Sequence, residues 1–309
     1  SRFNKVAFPG KNTPILEIVD FLNARARENQ WGFVDFNRPM VAINQWEQAE
    51  DSMYTLCGKD RIHPSTDGHL VMAYLFLKAQ GLAGKPVADI RIDGAGKKVT
   101  RSDNCRVSDL SVSSDNLTFT YEAKSLPYPI DTSYYDNEKH TQADALSVIP
   151  FMDEMNYEGL SVSGLSDGYY GLTIGGEFIG RFTARELERG INMALLQNTP
   201  QYKQAMKIRQ MNEERWLKER KMREFYWVEY NLMRKTGMLW ACNEAAVDTL
   251  RKYRPHDIFL QWNGALWLQY MHKGIREDCV NEQQDLVNQI YEQNKPIPLQ
   301  IEIKKFTDL

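Results

Sequence analysis

The longest unbroken apolar run of the chain, the eight residues Leu70 to Leu77, places the strongest constraint on its fold. A helix that is apolar around most of its circumference must be buried on nearly all sides. Gly81 and Gly84 follow the run and end the helix, which the sequence predicts over 67–80. Because a membrane-spanning helix needs about 20 apolar residues, the run predicts a deeply packed helix of a folded domain and no membrane span.

Two helices and a short strand are predicted before this apolar helix. Residues 13–29 form a helix because apolar side chains recur at helical spacing, namely at Ile15, Ile18, Val19, Leu22 and Ala26. Phe33–Phe36 is predicted to be a buried strand, and a second helix is predicted from about Pro39 to Gln48. This alternation of helix and strand is typical of an α/β layer.

After Pro86 the sequence favours strands. Short β-branched or alternating runs occupy 87–92, 98–101, 107–112, 117–122, 160–162, 170–174 and 177–182. Gly175-Gly176 separates the last two runs and predicts a hairpin turn. Thr183 and Glu186 form a capping box that opens a helix predicted over 183–196. This helix begins a largely helical region, which closes with a strand-like run at Leu299–Ile303. The sequence therefore predicts an α/β part over 1–85, a β-rich module over 86–182 and a mainly helical tail over 183–309 that packs on the first part.

The segment Asp60-Arg-Ile-His63-Pro64 carries the chemistry. Its carboxylate and imidazole lie three residues apart in a loop directly before the apolar helix. A tight turn can bring Asp60 to Nδ1–H of His63, which leaves Nε2 free to accept a proton, as the base of an acyl transfer must. Taken alone, such a pair is more often a histidine hydrogen-bonded to a carboxylate in a surface loop.

The surrounding order of elements adds a family resemblance. The Asp60–Pro64 loop, then Gly68-His69 and the apolar helix, resembles the C-terminal block of SGNH (GDSL-type) hydrolases, and the likeness extends over roughly residues 10–82. It implies the C-terminal part of a flavodoxin-like three-layer α/β/α domain that hydrolyses esters. It also implies that His63 is the general base and Asp60 its orienting carboxylate, without a metal or a cofactor.

The nucleophile of that family is missing from the chain. A serine in a Gly-Asp-Ser block near the amino terminus attacks the acyl carbon in SGNH hydrolases, but neither this block nor a Gly-x-Asn-Asp block occurs in these 309 residues. We expect the chain to begin partway through the hydrolase domain, with the serine upstream of Ser1. Since the members of a triad act as a unit, the chain alone is expected to be inactive.

The resemblance also suggests partners and a location. Its implied substrate is an ester, with acylated carbohydrate as one candidate, and its implied partner is the missing amino-terminal segment of the same protein. By analogy the location is periplasmic or extracellular. The alternative is a non-catalytic carbohydrate- or protein-binding protein built on a degenerate hydrolase scaffold, in which 87–182 is the binding module.

Charge argues against nucleic acid as a partner. The formal net charge is −3, from 38 basic and 41 acidic residues, so no general field attracts an anionic polymer. A long helix predicted near 200–235 carries ten basic residues over 203–235, but its five glutamates supply i,i+4 partners. We interpret it as a packed helix with a solvated basic side, and Trp240, Trp262 and Trp267 as core residues.

Three further patterns have less specific interpretations. Gly164-Leu-Ser166-Asp-Gly168 matches a hydrolase nucleophile motif, but the strand predicted to follow it indicates a turn between strands. Asp60, His63, Asp67 and His69 contain metal-ligand types without a standard spacing, so a metal is the less favoured interpretation. The four cysteines form no CxxC pair and predict neither a disulfide framework nor a structural zinc site.

Overall fold

The computed structural model describes residues 10, 12–58, 60–133 and 140–306. The helices of this part are α1 Asn12–Asn29, α2 Asn37–Glu47, α3 Thr66–Ala79, α4 Phe151–Glu154, α5 Ala184–Arg189, α6 Pro200–Val228, α7 Glu244–Tyr253, α8 Ile258–Tyr270 and α9 Lys273–Gln293. The strands are β1 Ala88–Asp93, β2 Lys98–Asp103, β3 Cys105–Val112, β4 Asn116–Ala123, β5 Glu158–Ser163, β6 Tyr169–Ile174, β7 Glu177–Thr183, β8 Ile191–Asn192 and β9 Leu299–Lys305. The predicted mixed α/β class is confirmed.

The chain divides into two compact units, 1–202 together with 296–309, and 203–295. The first unit contains α1 to α5 and all the strands named above, and the second contains most of α6 together with α7 to α9. The three predicted domains, 1–85, 86–182 and 183–309, stay predictions. Strand β9, which lies in the predicted helical tail, belongs to a sheet of the first unit.

Two sheets form the β-rich part of the first unit. The smaller has the order β2-β1-β5-β8, in which only the β1–β5 pair is parallel. The larger is antiparallel throughout, in the order β3-β4-β9-β6-β7. Alternate side chains of both sheets point into one shared hydrophobic core, to which Ile90, Phe119, Leu160, Leu172 and Ile301 each contribute a fully buried side chain. The alternation of apolar and polar residues along the strands therefore places the apolar side chains in this core.

The helical part of the first unit departs from the sequence prediction in three places. Residues 33–36 were predicted to be a strand, but they pair with no strand among the described residues, so this prediction was wrong. On α3 the side chain of Phe76 is 46% exposed, so the prediction that this helix is buried on nearly all sides was wrong. Its buried face, with Leu70 and Tyr74, packs against Ile130 and residues 143–152. The helix predicted over 183–196 ends earlier, where Gly190 takes a φ of +94°.

The second unit has a hydrophobic core of its own, built around Phe225 and Trp267. Trp240 and Trp262 are 45% and 65% exposed, so their assignment to the core was wrong, whereas that of Trp267 is confirmed. On α6 the predicted i,i+4 ion pairs are present, for example Arg215 with Glu219. Within the described part of the chain, no helix is both long enough and apolar enough to cross a membrane.

Candidate active site

Asp60 and His63 lie together in the loop before α3. Nδ1 of His63 is 2.5 Å from Oδ2 of Asp60. The other carboxylate oxygen accepts the backbone N–H groups of Ile62 at 2.9 Å and of His63 at 3.1 Å. Arg61, between them, adopts a φ of +57°, which turns the chain so that one carboxylate reaches both the backbone and the ring. The sequence prediction that the turn brings these two side chains together is confirmed, whereas their catalytic roles stay predictions.

The electrostatics of the pair fix the position of one proton. The hydrogen bond from the His63 ring lowers the pKa of the Asp60 carboxyl to about 2, and the backbone N–H groups of Ile62 and His63 act in the same direction. The carboxylate is therefore ionised at neutral pH and can only accept, so the shared proton is on Nδ1. Nε2 of the neutral ring then carries a free lone pair. The His63 side chain is 83% exposed, so this nitrogen is accessible from solvent.

The loop is fastened to the start of α3. Cys57 and Pro64 form an isolated antiparallel bridge, and the backbone N–H of Gly58 donates to the carbonyl of His63 at 2.8 Å. Inside the first turn of the helix, Asp67 is buried and accepts the backbone N–H of Gly68 at 2.8 Å as well as the hydroxyl of Ser65. These contacts support the candidate base from both sides of the loop.

No nucleophile accompanies the pair within the residues that the structure describes. No hydroxyl or thiol among them is hydrogen-bonded to Nε2 of His63. Ser166 lies, as predicted, in a loop between two strands, β5 and β6. Its hydroxyl accepts a hydrogen bond from Nζ of Lys305 at 2.8 Å and lies 3.1 Å from the hydroxyl of Tyr170. Sequence reasoning could not have found this contact, because Lys305 is 139 residues away.

The four residues considered as metal ligands do not form one site. Asp60 pairs with His63, whereas the buried carboxylate of Asp67 lies 3.2 Å from Nδ1 of His140. His69 is exposed on the outer side of α3. Over residues 10, 12–58, 60–133 and 140–306, no three His, Cys, Asp or Glu side chains are arranged to hold a metal ion. The approach of His140 to Asp67 has no signal in the sequence, since the rest of α3 and the strands β1 to β4 lie between the two residues.

Comparisons with known proteins support a relationship to a deacetylating enzyme. Residues 206–295 match the family described as the diltiazem deacetylase C-terminal helical domain. The whole chain is similar to the solved structure of a gut microbial diltiazem-metabolizing enzyme, with 40% sequence identity and a TM-score of 0.90. That match covers 99% of this chain and 70% of the other. No curated protein matches the chain.

The fold and these similarities define the chain as a mixed α/β relative of a diltiazem-metabolizing enzyme. At 40% identity over nearly its full length, the chain belongs to the family of the gut microbial diltiazem-metabolizing enzyme.

Proposed function

We propose that the protein is an ester hydrolase of the SGNH type, with His63 as its general base and Asp60 as the carboxylate that orients the base. The observation that carries the proposal is the 2.5 Å contact between Nδ1 of His63 and Asp60, on an imidazole that is otherwise exposed. The relationship to a deacetylase supports the same reaction class. The flavodoxin-like layering of residues 1–85 belongs to this proposal.

The nucleophile of the proposed reaction is a serine outside this chain. About three tenths of the diltiazem-metabolizing enzyme lies beyond the part that matches here, which leaves room in a longer protein for the nucleophile segment. Nε2 of His63 takes the proton of the serine hydroxyl as its oxygen attacks the acyl carbon. The protonated ring then gives this proton to the leaving alcohol, and Asp60 stabilises the imidazolium between the two steps.

The proposed substrate is an ester of a short acyl group. A deacetylase removes an acetyl group, and by family membership we infer that an acetyl ester is the substrate class. Acylated carbohydrate is the candidate alcohol that the SGNH resemblance adds. The proposed periplasmic or extracellular location can be tested by cell fractionation.

Turnover of an aryl acetate by the longer protein that carries the proposed serine tests this proposal. Because a general base contributes about 10²–10⁴-fold, we expect His63→Ala to lower kcat/KM by at least 10²-fold. Asp60→Asn should also lower it, since the variant no longer fixes the tautomer of the ring. The matched control is His256→Ala, which replaces an exposed histidine of the second unit.

Two results would contradict the proposal. A loss below tenfold for His63→Ala, in a variant that unfolds at the same temperature as the parent, would remove the base assignment. Saturable binding of an acetylated oligosaccharide by that longer protein, without any turnover, would instead support the non-catalytic alternative.

A further inference from the structure

The first unit contains an open cleft of about 580 Å³ beside α3. Residues 69–77 of α3 form one wall, and residues 82–87, 125–128, 142 and 151–156 contribute the others. This volume falls within the range of about 300–1,000 Å³ that is usual for small-molecule sites. Neither Asp60 nor His63 lines the cleft, so an inference about it is independent of the proposed esterase activity.

The walls of the cleft are mainly apolar and are fixed by packing. Leu70 and Leu77 contribute from α3, and Val87 and Phe151 face them from the other segments. Leu70, Val87 and Phe151 are buried in the protein and therefore cannot rearrange freely. The ring of Phe151 also holds an edge-on contact with the ring of Tyr128, with 5.7 Å between their centroids. A preformed apolar cleft of this kind binds an extended apolar body without reorganising.

Two polar residues of the lining, Lys85 and Tyr128, can donate to a ligand, and the other polar lining residues are His69, Ser125, Gln142 and Asn156. Nζ of Lys85 is exposed and makes no hydrogen bond or ion pair with any described residue. The hydroxyl of Tyr128 accepts a hydrogen bond from the Gln142 side chain at 2.7 Å, which leaves its own proton free to be donated. The Asn156 side chain is occupied by the backbone N–H and carbonyl of Tyr128, so it holds that residue in place.

The charges of the lining decide which ligand fits. None of the described residues that line the cleft is an Asp or a Glu, whereas Lys85 is a cation without a partner. A carboxylate satisfies an ammonium and a phenol donor together, and charge-assisted hydrogen bonds of this kind are about twice as strong as neutral ones. A cationic ligand would meet a lysine with no counter-charge from the lining.

We propose that this cleft binds an amphiphilic monocarboxylate, that is, an aliphatic or arylaliphatic acid. Its apolar body lies along α3 against Phe151, and its carboxylate accepts hydrogen bonds from Lys85 and Tyr128.

Calorimetry with decanoate, kept below its micelle concentration, tests the proposal on the protein. We expect saturable binding at one site, and two- to fourfold weaker binding for each methylene removed in a series down to octanoate. Decan-1-ol should bind at least tenfold more weakly, because it lacks the charge. Lys85→Gln should weaken decanoate binding about tenfold or more, whereas Lys97→Gln, which replaces an exposed lysine outside the lining, should not change it.

A second variant locates the ligand. Ala73 is an exposed lining residue of α3, so Ala73→Trp fills the cleft without disturbing the core and should abolish binding. Unchanged affinity in Ala73→Trp would overturn the proposal, and so would equal affinity for decyltrimethylammonium. Absence of binding, including absence because other polypeptide fills the cleft, would also overturn it. Decanoate should bind His63→Ala as it binds the parent, which separates this test from the esterase test.

Discussion

A Cβ atom at residue 68 would lie 2.0 Å from the carbonyl oxygen of Leu56, because the loop before α3 crosses directly over Gly68. The same carbonyl accepts the backbone N–H of Ser65 at 3.0 Å. Two close contacts therefore join the loop that carries Asp60 and His63 to the first turn of a helix whose inner face is buried. Gly68 allows the two backbones to approach this closely because it has no Cβ atom.

We predict that Gly68→Ala destabilises the protein. The neighbouring atom is a backbone oxygen, which cannot rotate away as a flexible side chain could, so the loop or the helix must move. Overpacking of this kind costs about 1–3 kcal/mol of the free energy of unfolding, which denaturation in urea measures. At Gly32 a Cβ would meet no atom within 4 Å, so Gly32→Ala is the control and should change the free energy by less than about 0.5 kcal/mol. Equal stability of the two variants would contradict the prediction.

The titration of Asp60 gives a second prediction. Its pKa is lowered from 3.8 to about 2, first by the hydrogen bond from His63 and then by two backbone N–H groups. Stabilisation by this pair is therefore present above about pH 4 and is lost as the pH falls through about 2. In His63→Ala the pKa of Asp60 should rise toward its ordinary value, as a carboxyl-carbon NMR titration can show. The pKa of Asp109, which hydrogen bonds from Ser108 and Thr120 lower, should stay unchanged. A pKa of Asp60 that does not respond would exclude the hydrogen bond in solution.

The sequence predicted those features that depend on neighbouring residues. The Asp60–His63 contact spans three residues and depends on local turn geometry, so its motif was sufficient. The hairpin at Gly175-Gly176 was predicted for the same reason, and both glycines have a positive φ. The capping box of Thr183 and Glu186 is also present as predicted.

Features built from distant segments could not be predicted in this way. The periodicity of β9 identified a strand but not its place between β4 and β6, which pair with it from more than 120 residues away. The apolar run of α3 predicted burial, but it could not reveal that Phe76 would remain half exposed. The carboxylate-binding cleft that we propose combines five segments, and no motif in the sequence indicates that they meet.

A third prediction concerns a buried acid in the β-rich part. Glu158 on β5 is fully buried, and its carboxyl accepts hydrogen bonds from Tyr121 at 2.8 Å and from Gln201 at 3.1 Å. Burial raises its pKa from 4.5 to about 7. The neutral form therefore stabilises the fold fully below about pH 4.5, and this contribution is lost as the pH rises through about 7.

Replacing this acid by its neutral analogue should remove that dependence. The amide side chain in Glu158→Gln can still accept both hydrogen bonds and carries no charge. The free energy of unfolding of this variant should therefore match that of the parent near pH 5 and exceed it at pH 8. The gain at pH 8 is at most about 3 kcal/mol in the free energy of unfolding. The exposed Glu188→Gln is the control and should show no such gain. A Glu158→Gln variant that is no more stable than the parent at pH 8 would contradict the prediction, because burial would then not penalise the charged carboxylate.

The last prediction tests whether β9 holds the larger sheet together. Ile301 is fully buried, and it lies opposite Phe119 of β4 on one side and Ile174 of β6 on the other. Truncation of a buried isoleucine costs about 2–5 kcal/mol, so Ile301→Ala should loosen both neighbouring strands. Hydrogen exchange followed by mass spectrometry should then show faster exchange in peptides from β4 and β6. Peptides from α8 should keep their protection, because Trp267 belongs to the separate core of the second unit.

Ile297→Ala, at a position that is 56% exposed, is the control and should leave the exchange of every peptide unchanged. If Ile301→Ala also leaves β4 and β6 unchanged, the sheet does not depend on its central strand, since the substitution removes the side chain that both neighbours contact.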